Sequence, residues 1–406
     1  MIKHKIICTV CSCYCDDIEV EVENNKITKV ENACLKGSSF IFRSQESQQR
    51  SPCMINRHEA NIDKVVDKAA ELLSESKNPL IFGLDHLTLE AQTKGIELAQ
   101  KINGVIDDYS SFSYGTLNEH IIKGSLPTCN FDEVKNADLI VYWGANPQHS
   151  HPRHLSEFSY YSNSKYSEIS TDRNIEMCVV DVRKTETAIV SSFYVLLSPG
   201  GDKPFMETVA KGSEQNIPQK KAQELANFLV NSSFCVLFVG SGLVYSVNND
   251  IASLIDMLNK LDANIKVIPM IDQPNMRGFN QTLYNATGFV NRVSFKKEVS
   301  SNDETSFRKQ LTDKKTDCIL IAGSNPFQNM PASINKYFEN IPIITIDPFI
   351  TETTQHSSVL ISPAISGLES GGTVMRMDGS IMHLSSATQT DKINDEQILK
   401  MLIDKV

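Results

Sequence analysis

The amino-terminal segment carries the side chains with the most specific chemistry in this sequence. Its cysteines follow the spacing Cys-x2-Cys-x3-Cys, with a further cysteine after a gap: Cys8, Cys11, Cys15 and Cys34. Thiolates of this kind bind zinc or iron–sulfur clusters. Structural zinc sites usually pair two separated Cys-x2-Cys units, whereas here three thiols share one loop, so the pattern favours a cubane cluster. Cys13 lies in the same loop and is an alternative to Cys15 as the third ligand.

Lys36 follows the last of these cysteines in the sequence Cys-Leu-Lys-Gly. Its ammonium group is either an ordinary surface charge or an electrostatic link between the cluster and a second redox cofactor. The chain has 10 cysteines in 406 residues, too few for a disulfide scaffold. Cys235 and Cys318 lie in apolar runs, where a cysteine is typically a small buried hydrophobic residue.

Charge and composition exclude several classes of partner. Lys and Arg number 39 and Asp and Glu 49, giving a net charge of −10, which argues against a nucleic-acid surface and against an anionic membrane. No apolar run approaches the roughly 20 residues that span a bilayer, and the first residues lack the pattern of a signal peptide. We therefore expect a cytoplasmic protein in a reducing compartment.

Short apolar segments alternate with amphipathic ones along most of the chain. Residues 62–73 and 90–102 have helical periodicity, and residues 16–33 indicate a β-hairpin. Strands are predicted at 79–85, 138–144, 178–183, 193–201, 234–242, 265–272, 318–326, 342–348 and 358–363. Continuous apolar strands separated by helices imply parallel sheets covered on both faces. The sequence therefore predicts a doubly wound α/β fold.

The sequence also contains an internal repeat. The segment Asp138–Pro147 parallels Asp317–Pro326, each with Asp, then Gly, then Asn-Pro, and Asp181 and Asp347 each precede a Thr-Glu-Thr. Loops at the carboxyl ends of parallel strands hold ligands, although Gly, Asn and Pro are also the usual residues of turns. The ordered duplication favours two related nucleotide sites.

The cysteine pattern with its distant Cys-x-Lys-Gly resembles the amino-terminal domain of the molybdopterin oxidoreductases. More narrowly, the chain resembles the family of formylmethanofuran dehydrogenase B subunits over nearly its full length. The segments that carry this resemblance are CSCYCDDIEV, WGANPQHSHPRH, VVDVRKTETA, PGGD, NMRGFNQTL and GLESGGTVMRMDG.

The resemblance implies a fold of the formate dehydrogenase/DMSO reductase type. Residues 1–56 would form a small [4Fe-4S] domain, followed by two Rossmann-like domains. Residues 57–130 with 280–406 would hold the second pterin half, and residues 131–279 the first. The C-terminal β-barrel of monomeric relatives is expected to be lacking, so that a partner subunit closes over the pterins.

The resemblance also implies an activity, cofactors and partners. The family reversibly reduces CO2 to formate at tungsten or molybdenum held by two molybdopterin guanine dinucleotides, with electrons from [4Fe-4S] clusters. An amidohydrolase-like subunit then condenses formate with methanofuran, and ferredoxin-like subunits supply electrons. No nucleic acid and no membrane is expected as a partner.

Site residues follow from the resemblance motif by motif. Arg277 matches an arginine facing the metal, where it would orient a carboxylate-like substrate and stabilise developing charge; a surface salt bridge is the alternative. The three residues His149, His151 and His154 suggest a metal site, but the resemblance makes His151–His154 a structural and pterin-binding segment. The residues expected to bind cofactor are Lys36, Trp143, Gly144, Asn146, Pro147, His151, Asp181, Arg183, Thr185, Pro199, Gly200, Asp202, Asn325, Asp347, Gly372 and Arg376.

One loop departs from the family. Where the family presents Cys or selenocysteine to the metal, followed by His and Gly, this chain has Ser113, Tyr114 and Gly115. A thiolate is a soft anionic ligand, whereas a serine hydroxyl must be deprotonated by the metal itself. A tyrosine, with its usual pKa of about 10, stays protonated where a histidine of pKa about 6.5 would relay a proton.

Two hypotheses follow. Either the chain is a working tungsten or molybdenum oxidoreductase, with Ser113 as an oxygen ligand beside Tyr114 and Arg277, or it is a redox-silent scaffold of a formyltransferase/hydrolase-like complex. The complete cysteine set with Lys36 favours the first, since a scaffold has little reason to keep it. A zinc-binding adaptor is a third class. The sequence leaves open which metal is used and in which direction the reaction runs.

Overall fold

The computed structural model describes residues 2–161, 175–211 and 220–406. The chain divides into two compact units. Unit 1 comprises Met1–Ser111, Gln273–Arg376 and Ile381–Val406, and unit 2 comprises Phe112–Asp272 and Met377–Ser380. Unit 1 groups residues 1–56 with α/β segments, and the division into three domains stays a prediction.

The strands of both units are short. In chain order they are β1 (Ile2–Ile6), β2 (Ile18–Glu23), β3 (Lys26–Glu31), β4 (Met54–Ile55), β5 (His58–Glu59), β6 (Pro79–Gly83), β7 (Val105–Asp107), β8 (Leu139–Trp143), β9 (Glu176–Asp181), β10 (Phe193–Leu196), β11 (Cys235–Val239), β12 (Ile265–Pro269), β13 (Val293–Ser294), β14 (Ser300–Ser301), β15 (Cys318–Ala322), β16 (Ile343–Ile346), β17 (Val359–Ile361), β18 (Gly372–Met375) and β19 (Ile381–Leu384).

Helices separate most of the strands. They are α1 (Leu35–Arg43), α2 (Ile62–Glu75), α3 (Leu89–Lys101), α4 (Gly115–Ile122), α5 (Phe131–Val134), α6 (Pro147–Ser150), α7 (His154–Glu157), α8 (Glu186–Ile189), α9 (Asp202–Val209), α10 (Lys220–Asn231), α11 (Ser241–Ser246), α12 (Ala252–Lys260), α13 (Met276–Thr287), α14 (Phe307–Thr312), α15 (Pro326–Asn329), α16 (Glu352–Gln355) and α17 (Asp395–Lys405). Short 3₁₀ segments occur at Ser47–Gln49, Tyr109–Phe112, Asp303–Thr305 and Ala332–Phe338.

Unit 1 is built on a nine-stranded sheet of order β14-β13-β7-β6-β15-β16-β17-β4-β5. Its central strands, from β7 to β17, are parallel, whereas β13 and β14 at one edge and β4 and β5 at the other are antiparallel. Every residue of β6 and β15 is buried, as expected for parallel strands covered on both faces. The predicted parallel α/β sheet is therefore confirmed, while the antiparallel edges were not predicted.

Helices α2, α3 and α17 pack together in unit 1. The apolar stripe of α2, which the sequence periodicity predicted, is buried at Val65, Val66, Ala69, Ala70 and Leu73 and belongs to the large core cluster of this unit. Complete burial of each Val or Leu contributes about 1.5–3 kcal/mol. This packing fixes the sheet whose carboxyl edge carries the loops described below.

Unit 1 also contains two small antiparallel sheets. The predicted hairpin is β2–β3, and β1 adds a third strand through pairs such as Ile6 with Ile18. The second sheet is the hairpin β18–β19. Neither β1 nor this second hairpin was predicted, because most of their side chains are exposed or only half-buried and leave no apolar pattern.

Unit 2 has a five-stranded sheet of order β10-β9-β8-β11-β12, in which every pair is parallel. The internal repeat of the sequence is visible in the two units. Gly144 follows β8 with φ +61° and donates its N–H to the Val180 carbonyl at 2.8 Å, and Gly323 follows β15 with φ +57° and donates to the Ile346 carbonyl at 2.9 Å. The same strand–glycine–loop arrangement therefore occurs in each unit.

A search of the described residues for membrane-spanning helices found none of sufficient length and apolar character.

We predict that Gly144→Ala destabilises the chain strongly. A Cβ at this position would lie 2.2 Å from the Leu243 amide nitrogen, so the variant combines backbone strain of about 1–2 kcal/mol with overpacking of about 1–3 kcal/mol. Urea unfolding followed by circular dichroism measures the loss. The matched control is Gly124→Ala, at φ +74° with nothing within 4 Å, which retains only the backbone cost. Equal losses for the two variants would contradict the close approach.

Candidate cofactor site

The cysteine loop is closed by its own backbone. The Cys8 amide donates to the Cys15 carbonyl at 2.9 Å, and the Tyr14 amide donates to the Cys11 carbonyl at 3.2 Å. Tyr14 has φ +44° and its ring is buried. The loop therefore turns tightly enough to point several thiols at one volume.

The thiols converge beside helix α1. Cys34 caps that helix, and its Sγ accepts the Gly37 N–H at 3.4 Å. A Cβ on Gly37 would lie 3.0 Å from Cys8 Sγ and 3.9 Å from Cys34 Sγ, so these two sulfurs approach the same point and glycine keeps it open. This arrangement fits a thiolate-bound cluster and places Lys36 on the same helix, with an exposed side chain.

Cys13 belongs to the same group of thiols. Burial raises its pKa well above the usual value, and a hydrogen bond with Cys11 and the charges of Cys11 and Cys15 raise it further. The guanidinium of Arg376 acts in the opposite direction on this pKa. Arg376, predicted to bind cofactor, therefore lies close to the cysteine loop, and both Cys13 and Cys15 remain candidates for the third ligand.

Arg277 lies in the first turn of α13, and its side chain is buried. The residue that caps this helix, Asn275, holds the turn. Its amide nitrogen donates to the Asp85 carbonyl at 2.8 Å, and its side-chain Nδ2 donates to the Leu87 carbonyl at 2.6 Å. Its carbonyl accepts from Gln92 Nε2 at 3.1 Å.

The Oδ1 atom of Asn275 accepts the Met375 N–H at 2.9 Å. This bond joins the start of α13 to the residue before Arg376, so one asparagine positions the segments of both predicted arginines. Gly278 is required beside it, because a Cβ there would lie 2.1 Å from Asn275 Oδ1. Asn275 was not predicted from the sequence, because its partners Leu87, Gln92 and Met375 are far from it in the chain.

At the carboxyl edge of the unit 1 sheet, Asn325 holds the loop after β16. Its Oδ1 accepts from the Thr353 hydroxyl at 2.7 Å and from the Thr353 amide at 3.1 Å. In unit 2, Asn146 Oδ1 accepts from the Thr187 hydroxyl at 2.8 Å and from its amide at 3.4 Å. We call this pair of hydrogen bonds the Asn–Thr clamp. Both asparagines of the repeat, which were predicted to bind cofactor, therefore use their side-chain oxygens to hold a loop.

The aspartate at the end of β9, Asp181, and the one that follows β16, Asp347, are differently buried. Asp347 accepts the Phe349 N–H at 2.8 Å, and burial raises its pKa to about 7, with Asp395 adding to the effect. Asp181 accepts the Arg183 N–H at 3.2 Å, and partial burial raises its pKa. Arg183 is exposed. Thr185 caps α8 through its side chain, which accepts the Ala188 N–H at 3.1 Å.

A cavity of about 140 Å³ in unit 1 is lined by Gly323 and Asp347 and by aromatic rings of Tyr14 and Phe349. Asp395, at the start of α17, also lines it, and burial raises the pKa of this carboxyl to about 7. Two carboxyls beside flat apolar surfaces suit a nucleotide that offers hydroxyl or amino donors. The sequence showed Asp395 only as an acidic residue in the first turn of a helix.

Gly372 lies at the start of β18 with φ +148°, and a Cβ on it would lie 2.5 Å from the Thr88 Cγ2. The neighbouring amide of Thr373 donates to Glu90 Oε2 at 3.0 Å. Gly372 is therefore a position of close packing against the loop before α3.

In unit 2, the predicted residues at the ends of β8 and β10 are in contact. The Trp143 Nε1 donates to Asp202 Oδ1 at 2.6 Å, and both side chains are buried. Asp202 begins α9 after the turn at Pro199 and Gly200, which has φ +80° and nothing within 4 Å of the position of a Cβ. This turn leaves open space at the edge of the sheet. Pro147 begins α6 after the Asn–Thr clamp.

The loop at Ser113–Gly115, which departs from the family pattern, is anchored to the end of β12. Ser113 is buried, and the Tyr114 hydroxyl donates to the Met270 carbonyl at 2.7 Å. Burial raises the pKa of Tyr114 far above its usual value. The next carbonyl, of Ile271, accepts from His151 Nε2 at 2.9 Å. Tyr114 is thus a neutral structural donor, and the loop carrying Ser113 and the segment carrying His151 meet at consecutive carbonyls.

The three histidines of QHSHPRH have different surroundings. His149 is exposed, and His151 Nδ1 lies 2.8 Å from the Ser150 hydroxyl. His154 packs against the rings of Tyr142 and Phe238, and burial lowers its pKa well below the usual value. These surroundings match a structural segment rather than a three-histidine metal site.

Two further buried carboxyls, Asp85 and Asp108, were not identified from the sequence. They follow β6 and β7, adjacent parallel strands. An aspartate directly after a buried strand was the available signal, and only the pairing of the two strands brings these residues together.

Comparison with known proteins identifies the family to which this chain belongs. The family described as molybdopterin oxidoreductase matches residues 64–405. The B subunit of the tungsten-containing formylmethanofuran dehydrogenase 2 of Methanocaldococcus jannaschii is 31% identical over 429 aligned residues, covering 100% of this chain and 98% of that protein. The B subunit of the enzyme with the same name from Methanococcus maripaludis is also 31% identical over 429 residues, covering 99% of this chain and 98% of that protein.

Two solved structures share the fold. The formyltransferase/hydrolase complex of Methylorubrum extorquens, determined with methylofuran, aligns with a TM-score of 0.70 and 18% identity, covering 87% of this chain and 98% of that chain. Acetylene hydratase from Pelobacter acetylenicus aligns with a TM-score of 0.63 and 12% identity, covering 99% of this chain and 69% of that chain. The chain therefore belongs to the molybdopterin oxidoreductase family of enzymes and is similar, over its full length, to the B subunits of formylmethanofuran dehydrogenases.

Proposed function

We propose that this chain is the tungsten- or molybdenum-pterin subunit of a formylmethanofuran dehydrogenase, which reversibly reduces CO2 to formate with electrons from [4Fe-4S] clusters. Formate would then be condensed with methanofuran on an amidohydrolase-like partner. The full-length similarity to two B subunits supports this assignment. The observation that carries this assignment is that the thiols of Cys8 and Cys34 converge beside Gly37. The loop that contains Cys8 holds three more thiols.

The residues divide into three groups by proposed task. Cys8, Cys11, Cys34 and either Cys15 or Cys13 would hold the cluster, with Lys36 beside it. Two molybdopterin guanine dinucleotides would bind at the two carboxyl edges, one at the loops around Asp181 and Asp202 and the other at those around Asp347. When bound, the pterin-held metal supplies two-electron transfer to CO2. The remaining pterin residues proposed are Trp143, Gly144, Asn146, Pro147, His151, Arg183, Thr185, Pro199, Gly200, Asn325, Gly372 and Arg376.

The chain's own residues would bind and orient the substrate. The buried guanidinium of Arg277, whose turn Asn275 holds, would donate two parallel hydrogen bonds to a carboxylate. Ser113 would offer an oxygen to the metal. Tyr114 would contribute position rather than a proton, because its hydroxyl donates to the Met270 carbonyl.

The domain organisation and partners are part of the same proposal. Residues 1–56 would act as the iron–sulfur segment, residues 131–279 as the first pterin half, and residues 57–130 with 280–406 as the second. A pterin-closing subunit and ferredoxin-like subunits would complete the complex in the cytoplasm.

A redox-silent scaffold is the second candidate. It is favoured by the departing loop, where Ser113 replaces a sulfur or selenium ligand and the Tyr114 hydroxyl is engaged in a structural hydrogen bond. It also agrees with the fold shared with the formyltransferase/hydrolase complex. The four thiols of the cysteine loop, together with that of Cys34, are evidence against it.

We predict that the purified complex contains iron together with tungsten or molybdenum and oxidises formylmethanofuran with an artificial electron acceptor. Cys34→Ser should remove the signal of the proximal cluster from electron paramagnetic resonance spectra and lower activity by more than about tenfold. Cys53→Ser is the matched control, because Cys53 lies outside the loop and its sulfur accepts the Ser362 N–H. Iron without tungsten or molybdenum would leave the scaffold as the function, and absence of iron would exclude both the cluster and the redox assignment.

We further predict that Ser113→Cys changes the spectrum of the pterin-held metal in its one-electron-reduced or oxidised paramagnetic state, because sulfur is a softer donor than oxygen. Ser113→Ala should lower activity by roughly tenfold or more. Ser111→Cys, two residues earlier, is the control for a new thiol in the same loop; the Ser111 hydroxyl donates to the Asp108 carbonyl. An unchanged metal spectrum in Ser113→Cys would show that residue 113 is not a ligand.

A further inference from the structure

Asp85 and Asp108 form a buried carboxyl pair at the carboxyl edge of the unit 1 sheet. Both side chains are 0% exposed. They follow adjacent parallel strands, β6 and β7, so their positions meet at one edge of the sheet. The charge of Asp85 acts directly on the pKa of Asp108 and raises it, after burial as the largest cause.

The hydrogen bonds of this pair are incomplete. Within the described residues, neither carboxyl oxygen of Asp85 has a hydrogen-bond partner, and Asp108 Oδ2 has none. Asp108 Oδ1 accepts from the Ser110 hydroxyl at 2.5 Å. By contrast, the neighbouring Asp107 accepts backbone N–H groups of Arg292 at 3.1 Å and Phe307 at 2.7 Å. The Ser110 hydroxyl favours ionisation of Asp108, and the backbone amides of Asp85 and Tyr109 act on Asp85 without completing a hydrogen bond. Burial outweighs these donors, so the pKa values of both carboxyls are raised.

Two such groups cannot both ionise at neutral pH. An ionised carboxyl without donors or a cation is strongly disfavoured in an apolar interior, and two adjacent carboxyls share a proton instead. Burial raises the pKa of Asp85 to about 7. Asp85 also forms no ion pair in the described part of the chain. The pair thus gains or loses a proton close to physiological pH.

The pair lies within electrostatic reach of the cysteine loop. Burial raises the pKa of Tyr14 well above its usual value, and negative charge on Cys11, Cys8 and Asp85 raises it further. The same proximity is seen in the cavity of unit 1, which is lined by Tyr14 from the cysteine loop and by His86 and Leu87, the two residues that follow Asp85.

Titratable groups that interact with the pair are Tyr14 from the cysteine loop and Asp107 and Tyr109 from the end of β7. His86 directly follows Asp85, and burial lowers its pKa to about 4, so its imidazole is neutral at physiological pH. None of these four groups is a cation that would hold Asp85 ionised.

We propose that the Asp85–Asp108 pair takes up one proton when one electron enters the cluster held by the cysteine loop, and releases it on oxidation. A one-electron donor of the ferredoxin class supplies the electron and solvent supplies the proton, so the net charge of the loop and the pair together does not change. This inference rests on the proposed function, because it requires a cluster at the cysteine loop. It adds a proton-exchange site to that function, beyond the residues that bind substrate or cofactor.

The first test needs no cofactor. In the unfolded chain an aspartate has a pKa of about 3.9, whereas the folded pair holds its proton to about pH 7. As pH rises between these values only the unfolded state releases protons, so the unfolding equilibrium shifts toward unfolding by up to about tenfold per pH unit for each such group. Asp85→Asn should reduce this slope in urea unfolding of the full chain between pH 4 and about pH 7.

Asp317→Asn is the control, because Asp317 affects the pH dependence of stability in the opposite direction. Burial alone would raise the pKa of Asp317, but donors from Ser76, Lys77 and Asn78 lower it, so this aspartate stabilises the fold above its unfolded pKa and loses that effect as pH falls. The variant should therefore lose stability at neutral pH. Asp108→Asn serves as a second variant of the pair if Asp85→Asn fails to fold. An unchanged pH slope in whichever pair variant folds would overturn the assignment of the proton.

The second test is a potentiometric titration of the cluster in the intact complex, read by electron paramagnetic resonance at several pH values between about pH 6 and pH 9. The wild-type midpoint potential should fall as pH rises, by at most about 59 mV for each tenfold change in proton concentration. Asp85→Asn should make the potential independent of pH. Asp317→Asn is the control, because Asp317 precedes β15 at the amino edge of the sheet, opposite the carboxyl edge that carries the pair, and it should keep the wild-type slope.

The outcomes separate this inference from the proposed function. A flat wild-type potential, or an unchanged slope in Asp85→Asn, with iron present would overturn the coupling and leave the dehydrogenase assignment standing. A loss of slope in Asp317→Asn as well would show that the effect is not specific to the pair and would also overturn it. Absence of iron would overturn both proposals together.

Discussion

The Asn–Thr clamp is the interaction on which both candidate nucleotide sites depend. Adjacent parallel strands are held together only as far as their last ladder hydrogen bond, and the loops beyond need other partners. In each unit an asparagine after one strand accepts two hydrogen bonds from a threonine after the next, each with a net value of about 1 kcal/mol. The glycine before each asparagine adopts positive φ, which lets the chain turn back over the sheet edge.

The Asn–Thr clamp gives the two asparagines of the repeat a structural role instead of the predicted contact with a cofactor. Asn146 and Asn325 were expected to face a cofactor, yet their oxygens hold threonines and their Nδ2 atoms donate to Glu186 and Gln328. The groups left to meet a nucleotide at these edges are the aspartates at the ends of β9 and β16 and the backbone of the glycine turns. The most distinctive residue of a motif can thus act in holding a loop, one step away from the candidate ligand site.

The sequence predicted the parts of this molecule that depend on local patterns. Buried parallel strands leave continuous apolar runs, and the duplicated loops leave fixed spacings, so the α/β architecture and the repeat were both accessible. The interactions of Asn275 were not, because they join segments that are distant in sequence, such as Leu87 and Met375. The proximity of Asp85 and Asp108 likewise follows from the pairing of β6 with β7, which periodicity alone does not specify.

The loop at Ser113 is held in place by its own hydrogen bonds. A tyrosine does not relay a proton near neutral pH as the histidine expected from the resemblance would, but the Tyr114 hydroxyl donates to the Met270 carbonyl and anchors the loop. The position of Ser113 is therefore supported independently of any metal bond. Geometry alone would be compatible with either a working enzyme or a scaffold.

Energetic cost distinguishes these two possibilities better than geometry does. Five thiols close together, and buried carboxyls with few donors, disfavour the folded state at neutral pH through desolvation and like-charge repulsion. Replacing such groups by apolar residues of similar size is often neutral or stabilising. A scaffold would gain stability from such replacements and lose nothing. In a redox subunit of the kind proposed above, the same replacements would remove the proposed cluster ligands and the proposed proton-exchange pair, so the presence of these costly residues favours the redox proposal over the scaffold.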